Sequence, residues 1–475
     1  MKPFRSASLA VASAILIASA PAAARPRYGG MLRVQTQGTL RALDPAATPA
    51  NPLERATRRH VLPLIFEPLI EMDPDGGLRP LLAASWEGDG PGTRWQVRLR
   101  PGLTLHDGSL LSPEQVASSL GASRADWQVA VVSGAIVITL AEPHRDFPWE
   151  LAQLRHAVSV RLASGERMGT GPFRVERLAG SRLILRAHEE YHAGRPFLDA
   201  VQIQMGRTPA SQLSDLELDR ADLVSVGPSD AGRVIQRQLR IASSSPLELF
   251  ALVFEAHRAN AANEALRRTL TAAIDRAAIR RVLLQGRAEP ADTLLPDWLS
   301  GYPSFTVASR GPVLSRAAVA ALPPAQRSLA VRVDAADALG RMMAERVAVD
   351  AREAGFSAVV QAPASLGPRP DLRLVRLPLD TSTPDRALAA LFEGLGPRTL
   401  ALLTREPPPV RGAPLDAVAR VERALLQNGV IVPLVHVPEL VGLGARVDSW
   451  NGPIVRPSGE WNLANLWIGP ERAPR

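Results

Sequence analysis

The chain contains no cysteine, which excludes disulfides, thiolate metal sites, a cysteine nucleophile and a lipid-modified N-terminal cysteine. Lysine is nearly absent too, Lys2 being the single one among 55 basic side chains. The arginines are spread along the chain with acidic residues among them, as in Arg341 to Glu353, and no basic cluster is interleaved with aromatics. The formal charge of +8 therefore does not point to nucleic acid. Past the N-terminal run, no stretch is long and apolar enough to cross a bilayer. There is no Gly-x-Ser-x-Gly elbow and no triad-like local grouping of Ser, His and Asp. No internal repeat is evident.

What is present is a chain of 475 residues, 46% hydrophobic and 21% charged, long enough to bury more than one core and to form two or three lobes. Residues 1–24 have a basic start at Lys2 and Arg5, an apolar run from Leu9 to Ala18, and Pro21-Ala22-Ala23-Ala24. That is the layout of a cleavable secretory signal, with the cut expected after Ala24. Export without a lipid anchor leads to the expectation of a periplasmic protein.

The densest structural information lies between Trp95 and Gly121. Trp95, Val97 and Leu99 alternate with Gln96, Arg98 and Arg100, the period of a half-buried strand. Pro101-Gly102 and His106-Asp107-Gly108 are turn signals. Ser112, Pro113 and Gln115 then supply an N-cap, a first helical residue and the Gln of a capping box. Further along, Val129, Val131, Ile136 and Ile138 fit a hairpin around Gly134. Asn263 to Leu284 reads as helical, with Leu266, Leu270 and Ile274 on one face and Asp275 able to cap a second helix. Arg341 to Ala354 reads as one helix ending before Gly355-Phe356.

One short motif has the form of an enzyme site. His188-Glu189-Glu190-Tyr191-His192 fits H-E-x-x-H, in which two imidazoles one helical turn apart hold zinc and the Glu acts as general base. That chemistry needs a helix. Arg182 to Ala187 alternates as a strand, and Ala193-Gly194-Arg195-Pro196 breaks any helix directly afterwards.

The run Leu99-Arg100, Gly102, His106-Asp107-Gly108 and Val116 resembles the signature of the bacterial extracellular solute-binding proteins of family 5, the oligopeptide and dipeptide class of periplasmic binding proteins. The likeness extends to Tyr28 to Val34, to Leu43-Asp44-Pro45, to Glu67-Pro68-Leu69 with Asp73-Pro74-Asp75-Gly76, and to Leu78 to Trp86. Gly169-Thr170-Gly171-Pro172-Phe173 continues it, as do Tyr191 with Gly194, Pro196, Leu198 and Asp199, then Arg268 with Ala273 to Arg276. Ile431 to His436 and Trp461 to Trp467 complete the set.

The resemblance implies an α/β, type II periplasmic binding protein-like fold: two lobes with mixed sheets around a cleft, plus an inserted subdomain. The expected divisions are 25–61 and 169–245 for the first lobe, 62–168 for the small inserted lobe, 246–445 for the large lobe, and 446–475 for the return to the first lobe. It implies capture of a peptide or similar small solute, delivery to an ABC permease in the inner membrane, a monomer, no cofactor and no catalysis. In peptide-binding relatives an Asp on the large lobe anchors the ligand's α-ammonium; the matching position here is Asp380, in Leu377 to Asp385. A helix N-cap by Asp or Thr before Pro384 is the alternative reading of that segment. Gln37 and Thr39, in the loop before Leu43-Asp44-Pro45, are candidates for the opposite wall by the same analogy, and Trp298 in Leu294 to Tyr302 is a further candidate lining residue. Two rival functions remain: an exported zinc peptidase through His188, Glu189 and His192, and a binding-fold protein uncoupled from transport that serves as a chaperone or sensor.

Overall fold

The computed structural model describes residues 26–73, 77–255, 258–302, 311–334, 337–361, 369–379, 383–395, 412–427, 429–449 and 452–469. The expected signal, residues 1–24, and Asp380 lie outside the described residues.

Among the described residues eleven strands form one mixed sheet, ten of them in the spatial order Phe173–Ala179, Arg182–Ala187, Ala200–Gln204, Met31–Gln35, Leu223–Val226, Ile431–Leu443, Arg240–Phe254, Leu372–Pro378, Ser328–Arg332 and Ser357–Gln361, with Glu289–Pro290 pairing beside Ile431–Leu443. Met31–Gln35 is parallel to both of its neighbours, and so is Ser328–Arg332. Parallel pairing needs crossover connections. Helices Pro209–Glu217 and Ala338–Ala354 lie in those connections.

The two parallel groups are joined through an antiparallel pair of long strands. Leu223–Val226 pairs with Leu440 to Leu443, at one end of Ile431–Leu443, and Leu372–Pro378 pairs with Glu248 to Phe254, at the far end of Arg240–Phe254. The long pair thus starts in one half of the molecule and finishes in the other. Its register breaks between Ser243 and Pro246 and again between Pro246 and Glu248, and Pro246 stands opposite Pro438. Proline has no backbone N–H to donate, so two facing prolines interrupt the ladder where the halves meet.

Each half has its own core. Leu32, Val34, Ile203, Leu223 and Trp461 belong to the first, and Leu252, Phe254, Val347, Leu388 and Leu434 to the second. A third core, with Trp95, Val97, Ile136 and Phe147, fills the small lobe over residues 69–168. Leu62 to Phe66, placed with the small lobe from sequence, pack instead with the first-half core, because the short turn Leu62–Leu64 continues helix Pro52–Val61.

Local sequence signals are realised in the small lobe. Ser112 accepts from the Gln115 backbone N–H while the Gln115 side chain accepts from Ser112, a complete capping box. Strands Gln128–Val132 and Ala135–Thr139 form the hairpin, with Ser133 at φ 51° and Gly134 at φ 74°, the left-handed pair that a two-residue turn requires. Asn263 and Asp275 both cap helices, although the second α-helical piece, Arg276–Ala278, is only three residues long and passes into a π-helical turn.

Burial of histidine adds a pH dependence. His436 lies inside the sheet and donates from Nε2 to the Leu294 carbonyl at 3.1 Å. Burial lowers its pKa from 6.5 to about 4, and burial likewise lowers His106 to about 4. A depressed native pKa means the unfolded chain binds the proton more readily, so stability is full above about pH 6.5 and falls as pH drops towards 4. His436 by itself accounts for about 3 kcal/mol over that window. Urea midpoints measured between pH 7.5 and 4.5 should fall steadily; a flat profile would show that these imidazoles are not held neutral.

Candidate functional site in the cleft between the halves

The site is built where the two long strands cross from one half to the other. On the first-half side, Val455 bridges to Trp461, and the Arg456 N–H donates to the Glu460 carbonyl at 2.8 Å, closing a tight hairpin. That hairpin rests on the crossing point, since the Ser245 N–H donates to the Pro457 carbonyl at 3.2 Å. From the large half, the Trp298 indole N–H donates to the Pro246 carbonyl at 3.2 Å. With the ring fixed by that bond and still 37% exposed, Trp298 presents an aromatic surface at the junction. The Leu379 N–H donates to the Leu247 carbonyl at 2.9 Å, tying the residue just before Asp380 to the same crossing.

Charge is concentrated here. Glu439, on the long strand next to Pro438, pairs with Arg59 and also meets His60 Nε2 at 2.8 Å. Burial alone would raise the Glu439 carboxyl; the Arg59 guanidinium and the contact with His60 reverse this and hold it at about 2. Arg376 pairs with Glu248 at 2.6 Å, and Arg456 pairs with Glu71. Glu460 is pushed up by burial, against the pull of Arg456. His60 stacks on Trp461 with ring centroids 4.2 Å apart and planes 10° from parallel. Arg59 Nε, His60 Nδ1 and Trp461 Nε1 are buried with no hydrogen-bond partner among the described residues. Arg59 Nε–H and Trp461 Nε1–H are donors, and buried donors are costly unless an acceptor meets them, so this part of the junction suits a carbonyl or carboxylate oxygen.

The sequence candidates fall unevenly around this centre. Trp298 is at it. Gln37 is half-buried and Thr39 exposed, in a loop whose Gly38 packs so tightly on helix Pro52–Val61 that an added Cβ would lie 2.2 Å from the Leu53 carbonyl. Thr39 sits over Gly206, and no hydrogen bond among the described residues brings either side chain to Trp298. The helix after residue 380 begins at Pro384, but the Thr383 hydroxyl has no hydrogen-bond partner among the described residues, so it does not cap that helix.

The zinc-type motif is not helical. Ala187 ends a strand, the Tyr191 N–H turns back to the His188 carbonyl, and the Gly194 N–H to that of Tyr191. His188 Nδ1 donates to the Gly171 carbonyl at 3.1 Å, while His192 Nε2 meets the Glu67 carboxylate at 3.1 Å. Glu189 pairs outward with Arg195 at 2.6 Å. The two imidazoles thus have separate structural partners. No group of His, Asp or Glu able to hold a metal occurs among the described residues.

Sequence reasoning missed Arg59, His60, Glu439, Arg376 and Arg456. A readable signal existed for Glu439, a carboxylate inside the apolar run Ile431 to Leu443 and next to a proline, where a charge needs a partner. For the arginines there was none, because arginine is everywhere in this chain.

A family model described as the bacterial extracellular solute-binding proteins, family 5, matches residues 77–365. Among curated relatives, the transcriptional regulator SgrR of Pectobacterium atrosepticum is 28% identical over 163 residues, 31% of this chain and 29% of that protein. The peptide transport periplasmic protein SapA of Salmonella typhimurium is 22% identical over 341 residues, 61% of this chain and 62% of that protein. This chain therefore spans less than two thirds of the length of either. Among solved structures, the oligopeptide-binding protein AppA of Bacillus subtilis with a nonapeptide superposes with a TM-score of 0.70 at 15% identity, covering 94% of this chain and 100% of that one. NikA of Brucella suis with Fe(III)-EDTA superposes with a TM-score of 0.77 at 17% identity, covering 93% and 100%. These likenesses establish the fold, a two-lobed binding protein with mixed sheets.

Proposed function

The chain belongs to the bacterial extracellular solute-binding proteins of family 5, and from that premise we propose that it is the periplasmic substrate-binding component of an ABC importer, capturing a peptide or another small polar solute between its lobes and delivering it to an inner-membrane permease. The observation that carries this reading is the pair of long strands, interrupted at Pro246 and Pro438, with charged and aromatic side chains gathered around the interruption. A cleft hinged there gains ligand contacts from both sides only when closed, so ligand shifts the population to the closed form. Family members are solute-binding proteins rather than enzymes, found in the periplasm or outside the cell. Removal of residues 1–24 and release without a lipid anchor, as a monomer, complete the reading.

In this arrangement Trp298 covers an apolar part of the solute. The unpartnered N–H groups of Arg59 and Trp461 donate to its carbonyl or carboxylate oxygens, and Asp380 holds an ammonium through a charge-assisted hydrogen bond. Gln37 and Thr39 belong to the opposing wall. The likeness to SapA and to AppA supports a peptide, and that to NikA a metal chelate. A sensor uncoupled from transport is the second reading, favoured by the likeness to SgrR.

Native mass spectrometry of the protein from its own host, with the released small molecule identified, tests the proposal directly. Trp298→Ala should weaken binding of that molecule about tenfold or more, as expected for an aromatic anchor that the bound solute covers, read by calorimetry. Should no solute be released, and no peptide or metal chelate raise the melting temperature, the capture reading fails.

A further inference from the structure

The small lobe is joined to the first half by a set of polar contacts. The Glu67 carboxylate accepts from the Tyr191 hydroxyl at 2.6 Å and the Thr170 hydroxyl at 2.8 Å, and meets His192 Nε2 at 3.1 Å. His106, from the small lobe, donates from Nε2 to the Gly171 carbonyl at 3.1 Å, and its backbone N–H donates to the Gly169 carbonyl at 3.2 Å. The Thr104 hydroxyl donates to the Glu190 carbonyl at 2.9 Å, and Arg167 pairs with Asp44 at 2.7 Å. These contacts bind the small lobe to the first half.

Yet the small lobe also touches the large half, through buried charge. Glu150, on the short helix Phe147–Leu151, accepts from Arg386 at 2.6 Å, across 236 residues of sequence. Side-chain exposures are 3% for Glu150 and 7% for Arg386. The same carboxylate holds Arg155 at 2.5 Å and His156 at 2.8 Å, both from its own lobe. His144 lies 3.5 Å from the Arg386 guanidinium. Beside this, Gly412 donates its N–H to Asp385 at 3.0 Å and packs so closely on Asp146 that an added Cβ would lie 2.4 Å from its carboxylate.

We infer that the Glu150–Arg386 pair is a built-in latch, which holds the small lobe against the large half and keeps the cleft closed without solute. The inference rests on the hinged-cleft reading above. Because the small lobe cannot follow the large half, opening about Pro246 and Pro438 must separate Glu150 from Arg386. Closed, the pair is almost dry, where a charge-assisted hydrogen bond is strong; open, Glu150 keeps only Arg155 and His156. Closure of the mouth is therefore driven partly by the protein's own charges. Arg386 lies six residues after Asp380 in sequence, so the latch acts on the helix that follows the candidate anchor.

The absence of cysteine makes the test clean. Val132→Cys and Val359→Cys, both at exposed positions in the small lobe and the large half, carry spin labels, and their separation is measured on full-length protein dialysed free of solute. The labelled parent should show mainly one short distance. Arg386→Ala should raise the ratio of long to short distances at least tenfold, while Arg386→Lys, which keeps the charge, should lie near the parent. Arg155→Ala removes a partner of the same carboxylate within one lobe and should leave the distance unchanged, separating latch loss from general damage to the Glu150 site. Unchanged distances in Arg386→Ala, with the far-ultraviolet circular dichroism of the parent, would overturn the latch. If released solute still binds that variant tightly, the capture reading stands without it.

Discussion

Asp222→Ala is expected to cost about 3–5 kcal/mol of stability, the range for breaking a buried ion pair from one side. Asp222 stands at the entrance to strand Leu223–Val226 with its side chain 2% exposed. It accepts from the Arg33 backbone N–H at 2.8 Å, from Arg33 Nε and Nη2 at 3.0 and 2.9 Å, and from Arg446 Nε and Nη2, both at 2.7 Å. Arg33 lies on the central parallel strand and Arg446 just past the end of a long crossing strand, so one carboxylate ties three neighbouring strands. Burial raises its pKa, and the two guanidiniums outweigh burial and lower it. A lowered carboxyl pKa contributes stability above the unfolded value, near pH 4, and loses it as pH falls through the native value. Asp222→Asn keeps the shape but loses the charge and should cost less than the Ala variant. Urea unfolding at pH 7, followed by tryptophan fluorescence, measures both. A loss below about 1 kcal/mol for Asp222→Ala would mean that the cluster behaves like an exposed pair.

Gly169→Ala is the second large effect. A Cβ at Gly169 would lie 2.0 Å from the Ile65 carbonyl oxygen and 2.8 Å from the Phe66 ring. The obstacle is backbone, which cannot step aside as a flexible side chain can. The neighbourhood is also fixed, because the Gly171 N–H donates to that same Ile65 carbonyl at 2.9 Å and the Gly169 carbonyl accepts from His106. Overpacking typically costs 1–3 kcal/mol; a clash with backbone should reach about 3 kcal/mol or prevent the small lobe from docking. Limited proteolysis should then cut near residues 165–172 faster than in the parent. Gly165→Ala is the comparison. Gly165 has open space around it and a left-handed φ of 87°, so its penalty comes from backbone strain alone, expected at about 1–2 kcal/mol. Equal sensitivity at both sites would argue against close packing at Gly169.

These two positions differ in how far they could be read beforehand. Gly169-Thr170-Gly171-Pro172 is visible in the sequence as a family motif, while the Ile65 backbone it presses against is not. Asp222 gave no signal, being one acidic residue among many. The same contrast holds at the cleft. Trp298 could be suspected because an aromatic beside Pro and Gly in a loop-like segment has little local reason to be there. Arg59, Glu439 and Arg376 could not be assembled, because their meeting depends on a hinge made of strands nearly 200 residues apart.

By itself, the sequence determined what short-range physics controls: the capping box at Ser112 and Gln115, the hairpin turn at Ser133-Gly134, the helix ending at Gly355, and the motifs that mark the family. Each depends on dihedral preferences or on hydrogen bonds within a few residues, which local composition specifies. Only the tertiary structure decided that Leu62 to Phe66 join the first-half core, that H-E-x-x-H is two turns with its imidazoles engaged elsewhere, and that Glu150 reaches Arg386 across the cleft. Those outcomes follow from burial and charge pairing between segments far apart in the chain, and a charge's partner is selected by the fold that desolvates it rather than by its neighbours in sequence.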